Sequence, residues 1–306
     1  MSASSRPRST TATRAAKIEA AHDKLVEAVM ALTTSEAWLS YLSAMARFHR
    51  YSPTNVAMIL HQRPGATRVA GFRTWQSMGR QVQKGSKGIA IWAPCIYKQG
   101  TDQVEREDAE GEPREARSLG GFRLAYVFDV ADTDGDPLPE APEEARATLL
   151  AGCAPAGMWD YLVAQVAKAG YTVELVPDLG GPNGRTTWAG HLVQVVADGR
   201  DDASMAKTLA HELGHVLLHS GMQGGGCLEV KEVEAESVAY LIGAAFGLDT
   251  TDYSLGYVTS WSGGDHRVVL ATANRVMEAA TAALADLDVG IDVDRDVDAG
   301  DRLVDA

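Results

Sequence analysis

His211, Glu212 and His215 stand in the run AKTLAHELGHVLLHS, residues 206–220. On a helix of ~3.6 residues per turn the two histidines project from one face a turn apart, with the glutamate beside them. Two imidazoles and a carboxylate at that spacing form the HExxH arrangement, in which the histidines hold zinc and the glutamate handles the proton of the attacking water. Leu209, Leu213, Val216 and Leu217 fall on the opposite side, so the helix can bury one face and present the other. Asp202 or Ser204 is expected to cap its start and Gly221 to end it.

A catalytic tetrahedral site takes a third protein ligand and leaves the fourth position open. Glu232 is the candidate. It opens the run EVEAESVAYLIGAAFG, a second helical segment whose Val233, Val238, Leu241, Ile242 and Ala245 supply an apolar face. Glu232 and Glu236 are four apart, so one can bind metal while the other accepts the free ring N–H of a ligand histidine. Glu229 and Glu234 are less well placed. His219 extends the histidine series, but three residues spanning two helical turns cannot all approach one tetrahedral ion, and a hydrogen-bonding role at the helix end is expected. Tyr240 and Tyr257 are the nearby phenols that could polarise a scissile carbonyl.

These helices need a scaffold, and the chain of 306 residues is long enough for two domains. No apolar run approaches ~18 residues, so no membrane partner is expected. The N-terminus MSASSRPRSTTATRAAK is basic, rich in Ser and Thr, and lacks an apolar core, which argues against secretion. Cys95, Cys153 and Cys227 are scattered and odd in number, pointing to a reducing, cytoplasmic setting. The net charge of −13 hides a division, because residues 1–98 carry 14 Lys/Arg against 4 Asp/Glu, a net of +10, and leave −23 for residues 99–306. A basic module joined to an acidic one points to a polyanionic partner for the first.

In chain order, a basic arm (1–14) that reads as disordered precedes a helix over 15–32 and a second from Thr34 or Ser35. A third starts at Ser52-Pro53 and stops at Pro64-Gly65. Arg68, Arg73, Arg80, Lys84 and Lys87 are then interleaved with Phe72, Trp75 and Trp92, with strand character at 69–72 and 89–97 and a basic turn, KGSKG, between. Positive charge tracks a phosphate backbone and aromatic faces stack on unpaired bases, the combination used by single-strand binders. Arg73, Trp75, Arg80, Lys84, Lys87 and Trp92 are therefore the candidate DNA contacts of a module over 15–131. Residues 102–117 read as a charged hairpin insertion and 132–145 as a linker. The second domain, 146–285, has a helix at 158–169 and strands at 171–176 and 188–197 separated by the turn-rich LGGPNGR. The strand GHLVQVVA is expected to offer an edge to an extended peptide. An acidic tail (286–306) closes the chain and reads as disordered.

HELGH followed by a helix of the form ExxAE resembles the zinc-peptidase domains of the ArdC antirestriction proteins and of the ImmA/IrrE proteins. FRTWQSMGRQVQKGSKGIAIWAP and YVFDVADTDGDPLP resemble the N-terminal domain of ArdC proteins, the module their family uses to bind single-stranded DNA. The resemblance implies an α+β protein with a mixed helix/sheet DNA-binding domain followed by a gluzincin-like zinc metallopeptidase. It also implies His211, His215 and Glu232 as Zn2+ ligands, Glu212 as catalytic residue, and an unnamed protein or peptide as substrate. Two other classes are consistent with the sequence: a DNA-binding antirestriction protein whose zinc is structural, and an ImmA-like peptidase that cleaves a repressor.

Overall fold

The computed structural model describes residues 11–98, 106–107, 113–114, 117–138, 153–221, 227–248, 262 and 265–287. Residues 1–10 of the basic arm, half of the linker and most of the acidic tail lie outside these residues; positions 11–14 of the arm, expected to be disordered, instead belong to the first helix.

Three helices open the chain: α1 (Thr11–Met30), α2 (Ser35–Arg47) and α3 (Pro53–Gln62). The expected caps set two of the starts. The Thr34 side chain accepts from Ala37 N at 3.1 Å, and Ser52 accepts from Asn55 N at 3.3 Å with Pro53 at the first helical position. The strands β1 (Val69–Gly71), β3 (Ile89–Lys98) and β6 (Arg117–Asp129) form an antiparallel sheet in the order β1-β6-β3. The short helix α4 (Phe72–Ser77) and strand β2 (Arg80–Val82) lie between β1 and β3, while β4 (Arg106–Glu107) pairs with β5 (Pro113–Arg114) in the expected hairpin. The residues expected to begin the linker instead form β7 (Thr133–Gly135), which pairs with β2.

Because β3 is an edge strand, its outward N–H and C=O groups need partners. Two amides from α3 supply them. Asn55 accepts from Trp92 N at 2.9 Å and donates to Trp92 O at 2.8 Å; Gln62 accepts from Ala90 N at 3.0 Å and donates to Ala90 O at 2.9 Å.

The second half holds α5 (Met158–Lys168), β8 (Thr172–Val176), β9 (Gly184–Thr187), β10 (Leu192–Val196), α6 (Asp202–His219), α7 (Leu228–Phe246) and α8 (His266–Ala283). The sheet order is β8-β10-β9, with β10 parallel to β8 and antiparallel to β9. The strand expected to offer a free edge, β10, is thus central. The edges are β8 and β9, and the Gly-, Pro- and Asn-rich lead-in to β9 gives it the look of a turn in the sequence.

Buried side chains from both halves join one contiguous core, in which Trp38, Leu42 and Met45 of α2 sit with Leu209 and Leu213 of α6 and Ile242 of α7. Trp38 Nε1 donates to Ser237 Oγ on α7 at 3.0 Å. Among the described residues no helix is long and apolar enough to cross a membrane.

Gly214, inside HELGH, lets α6 and α7 approach. A methyl group there would lie 2.9 Å from Ala235 Cα and 3.0 Å from Ala235 O, so the α7 backbone itself would have to move. Gly214→Ala is expected to destabilise the fold by about 1–3 kcal/mol, read as a lower thermal midpoint, and to reduce metal uptake because α7 carries Glu232. An unchanged midpoint would show that this approach is not limiting.

Candidate metal centre and nucleic-acid face

Asp201 caps α6, accepting from Ser204 N at 2.7 Å, whereas Asp202 or Ser204 was the cap expected. Leu209, Leu213 and Val216 are buried beneath the helix, and His211 and His215 turn up into a cleft. The start of α7 crosses the same face and brings Glu232 to the pair. His211 Nε2 and His215 Nε2 are 3.1 Å apart, Glu232 Oε2 is 3.4 Å from the first, and Glu232 Oε1 is 3.6 Å from the second. Donors bonded to one tetrahedral ion at ~2.0–2.1 Å lie roughly 3.3 Å from each other. The three side chains therefore fit a divalent ion in both chemistry and spacing.

The outward nitrogens of both histidines are engaged. His211 Nδ1 lies 2.9 Å from Glu236 Oε2, whose other oxygen is 3.3 Å from Lys207 Nζ. His215 Nδ1 lies 3.0 Å from His219 Nδ1, and His219 Nε2 is 3.0 Å from Glu234 Oε2. Arg275 Nε from α8 donates to Glu234 Oε1 at 2.7 Å. One tautomer set satisfies the line: His215 donates from Nδ1 to His219, and His219 donates from Nε2 to Glu234. His219 and Glu234 are 3% and 2% exposed, so this is a buried network, not a frayed helix end. The third histidine in the series was the available signal for it; nothing in the sequence pointed to Arg275.

The acids and bases tune one another. Burial pulls the His211 pKa down, but hydrogen bonds to Glu232 and Glu236, with the charges of Glu236 and Glu212, outweigh it and raise the value to about 9. Hydrogen bonds from His211 and His215 hold Glu232 far below the usual carboxylate range. Burial would raise Glu234 and Glu236, yet their basic partners lower both: His219 and Arg275 for the first, His211 and Lys207 for the second.

Glu212 is 6% exposed and is braced by β9, whose Thr186 Oγ1 donates to Glu212 Oε2 at 2.6 Å. At Gly184, a methyl group would come within 2.6 Å of Glu212 Oε1. A cleft of about 1460 Å³ runs along β9 and over His211, Glu212, His215 and Glu232. Tyr240 is buried in α7 and does not line it, and Tyr257 lies outside the described residues. The three cysteines are free thiols, and Cys227 is exposed at the start of α7.

The DNA candidates separate. Trp75 was expected to stack on bases but is fully buried, with its Nε1 donating to Phe128 O at 2.9 Å; its size and apolarity fill the core instead. Arg80, expected to meet phosphates, donates from Nε to Thr133 Oγ1 at 2.8 Å and from Nη2 to Thr133 O at 2.9 Å, so its guanidinium holds β7 in place. Lys84 and Lys87 are exposed on the turn before β3, Arg73 is exposed on α4, and Trp92 is half-buried on β3.

Residues 10–128 match the family model of the N-terminal domain of anti-restriction factor ArdC. The chain is 25% identical over 285 residues to an uncharacterized protein of Bacillus anthracis, covering 83% of this chain and 48% of that protein, and so spans about half the length of this relative. Among solved structures, the metal-free antirestriction ArdC protein from plasmid R388 superposes with a TM-score of 0.51 at 23% identity, over 76% of this chain and 84% of that one. Its Mn(II)-bound form gives 0.51 at 22% identity, over 77% and 84%. The mixed α+β architecture thus resembles that of the R388 ArdC protein.

Glu232→Ala is expected to remove the metal. His219→Ala should lower metal affinity about 10- to 100-fold by freeing the His215 ring, and His219→Gln should restore much of it, since an amide can also accept from His215 and donate to Glu234. Competition with a chromophoric chelator measures both. Unchanged affinity in His219→Ala would show that the buried network does not orient His215.

Proposed function

We propose that this chain is an ArdC-type antirestriction protein that binds single-stranded DNA through its N-terminal half and hydrolyses peptide bonds at the His211–His215–Glu232 centre. The observation that carries the peptidase reading is the convergence of those donors beside a braced Glu212 in an open cleft. The match of residues 10–128 to the ArdC N-terminal domain supports the rest.

His211, His215 and Glu232 would hold the ion through Nε2, Nε2 and a carboxylate oxygen. Two imidazoles and a carboxylate suit zinc, and the Mn(II)-bound form of R388 ArdC supports a divalent cation in such a protein. When bound, the ion supplies Lewis acidity, polarising the scissile carbonyl and activating water. The remaining work falls to the chain. Glu212, anchored through Oε2 to Thr186, takes the proton of the attacking water and delivers it to the leaving nitrogen. The free edge of β9 pairs with an extended peptide by main-chain hydrogen bonds and lays it across the cleft. Glu236 and His219 keep the two imidazoles in the tautomers that leave Nε2 free. The substrate is a protein or peptide, the setting cytoplasmic.

Glu212→Gln tests the chemistry, because the amide keeps the shape but cannot accept the proton. Metal content should be unchanged while cleavage of an unfolded protein substrate, assayed with and without single-stranded DNA, falls at least a hundredfold. Cleavage at the wild-type rate would remove Glu212 from the mechanism. A wild-type protein that holds its metal and cuts nothing would make the centre structural.

A further inference from the structure

With Trp75 in the core, the half-buried Trp92 is what remains of the expected stacking tryptophans, and the β3–β6 ribbon around it offers a larger surface. Alternate residues of a strand share a face. On β6 these are Phe122, Leu124, Tyr126 and Phe128, and across from them on β3 lie Pro94, Trp92 and Ala90, paired with Phe122, Leu124 and Tyr126 respectively. The opposite face is committed to the core through Ile89, Ile91, Ala93 and Val127, all buried. On the outer face Phe122 is 60% exposed and Tyr126 47% exposed, although both are large and apolar.

The surroundings select the occupant. The Tyr126 side chain packs over Gly88, where a methyl group would lie 3.0 Å from its Cβ, so the ring sits against the KGSKG turn with its exposed Lys84 and Lys87. No Asp or Glu occurs between Glu36 and Asp102, and Arg117 to Phe128 contains two arginines and no acid. An apolar ring surface in so basic a stretch suits a polyanion with exposed bases. Along Ala90 and Trp92 a protein strand cannot add to the outer edge of β3, because Asn55 and Gln62 already occupy the N–H and C=O groups of those two residues. A partner beside Tyr126 therefore lies on the face. Phe122 and Tyr126, four residues apart on one strand, are separated by ~13 Å, so each would take a different base.

We propose that Phe122 and Tyr126 form the base-stacking platform for single-stranded DNA, with Trp92 beside them and Lys84 and Lys87 neutralising phosphates at the Tyr126 end. This rests on the single-strand reading above and names its site.

The test is the affinity of full-length protein for a labelled short oligo(dT), measured by anisotropy over a range of salt, with a duplex of the same length as competitor. Phe122→Ala and Tyr126→Ala should each weaken binding roughly 5- to 150-fold, the loss of one stacked base, without changing the salt slope or the thermal midpoint. Phe122→Tyr and Tyr126→Phe should bind like wild type. Lys84→Ala with Lys87→Ala should flatten the slope. If wild type binds oligo(dT) and both alanine variants bind equally well, the platform is wrong and the single-strand reading stands. If wild type does not bind, or prefers duplex, both fall. If Phe122→Ala leaves DNA affinity intact but changes the oligomeric mass, the face is a contact between copies of the chain and the proposal is overturned.

Discussion

The close approach of α6 and α7 is the constraint from which the candidate centre follows. Metal ligands that come from one helix are placed by its pitch, but a third ligand from another helix is placed only by how near that helix can come. Here the absence of a side chain at Gly214 lets the Ala235 backbone lie against α6. Glu232 and Glu236, a turn apart on α7, then meet His211 and His215, a turn apart on α6, as pairs. The same crossing takes Glu234, on the buried side of α7, to His219. One interhelical distance thus sets the ligand triad, the acceptor for His211 and the buried support for His215.

That geometry concentrates charge, and the surrounding scaffold answers it. Four glutamates stand close to three histidines, an arrangement that low-dielectric surroundings would oppose without compensating cations and hydrogen bonds. Lys207 meets Glu236, Arg275 meets Glu234, and Thr186 donates to Glu212. Arg275 comes from α8 and Thr186 from β9, so elements with no ligand of their own hold in place the carboxylates that serve the centre. Trp38 reaches Ser237 on the far side of α7, which makes the N-terminal helices part of the same support.

What the sequence disclosed, and what it did not, divides by range. The caps at Thr34 and Ser52, the HELGH helix and the Glu232/Glu236 spacing are local patterns within a few residues of chain, and they could be read directly. The fates of Trp75, Arg80 and Glu234 depended on partners tens of residues away: Phe128 O, Thr133 and the His219–Arg275 pair. An aromatic among basic residues looks the same in sequence whether it faces solvent or core. The reverse error is also visible, since Phe122 and Tyr126 lie in a run of strand residues that reads as ordinary alternation, and only the pairing with β3 shows which face is left open. The edge strand was misplaced for a related reason. Strand order is a tertiary property, and the glycines leading into β9 suggested a loop.

The most direct test of the central claim is the coordination shell of the metal-loaded protein, by X-ray absorption at the metal edge or by anomalous scattering from a crystal. The account predicts one divalent ion per chain bound by two imidazole nitrogens and a Glu232 carboxylate oxygen at ~2.0–2.1 Å for zinc, with no sulfur in the shell. A sulfur ligand, such as the exposed Cys227 thiol at the start of α7, or an ion bound away from His211 and His215, would contradict it.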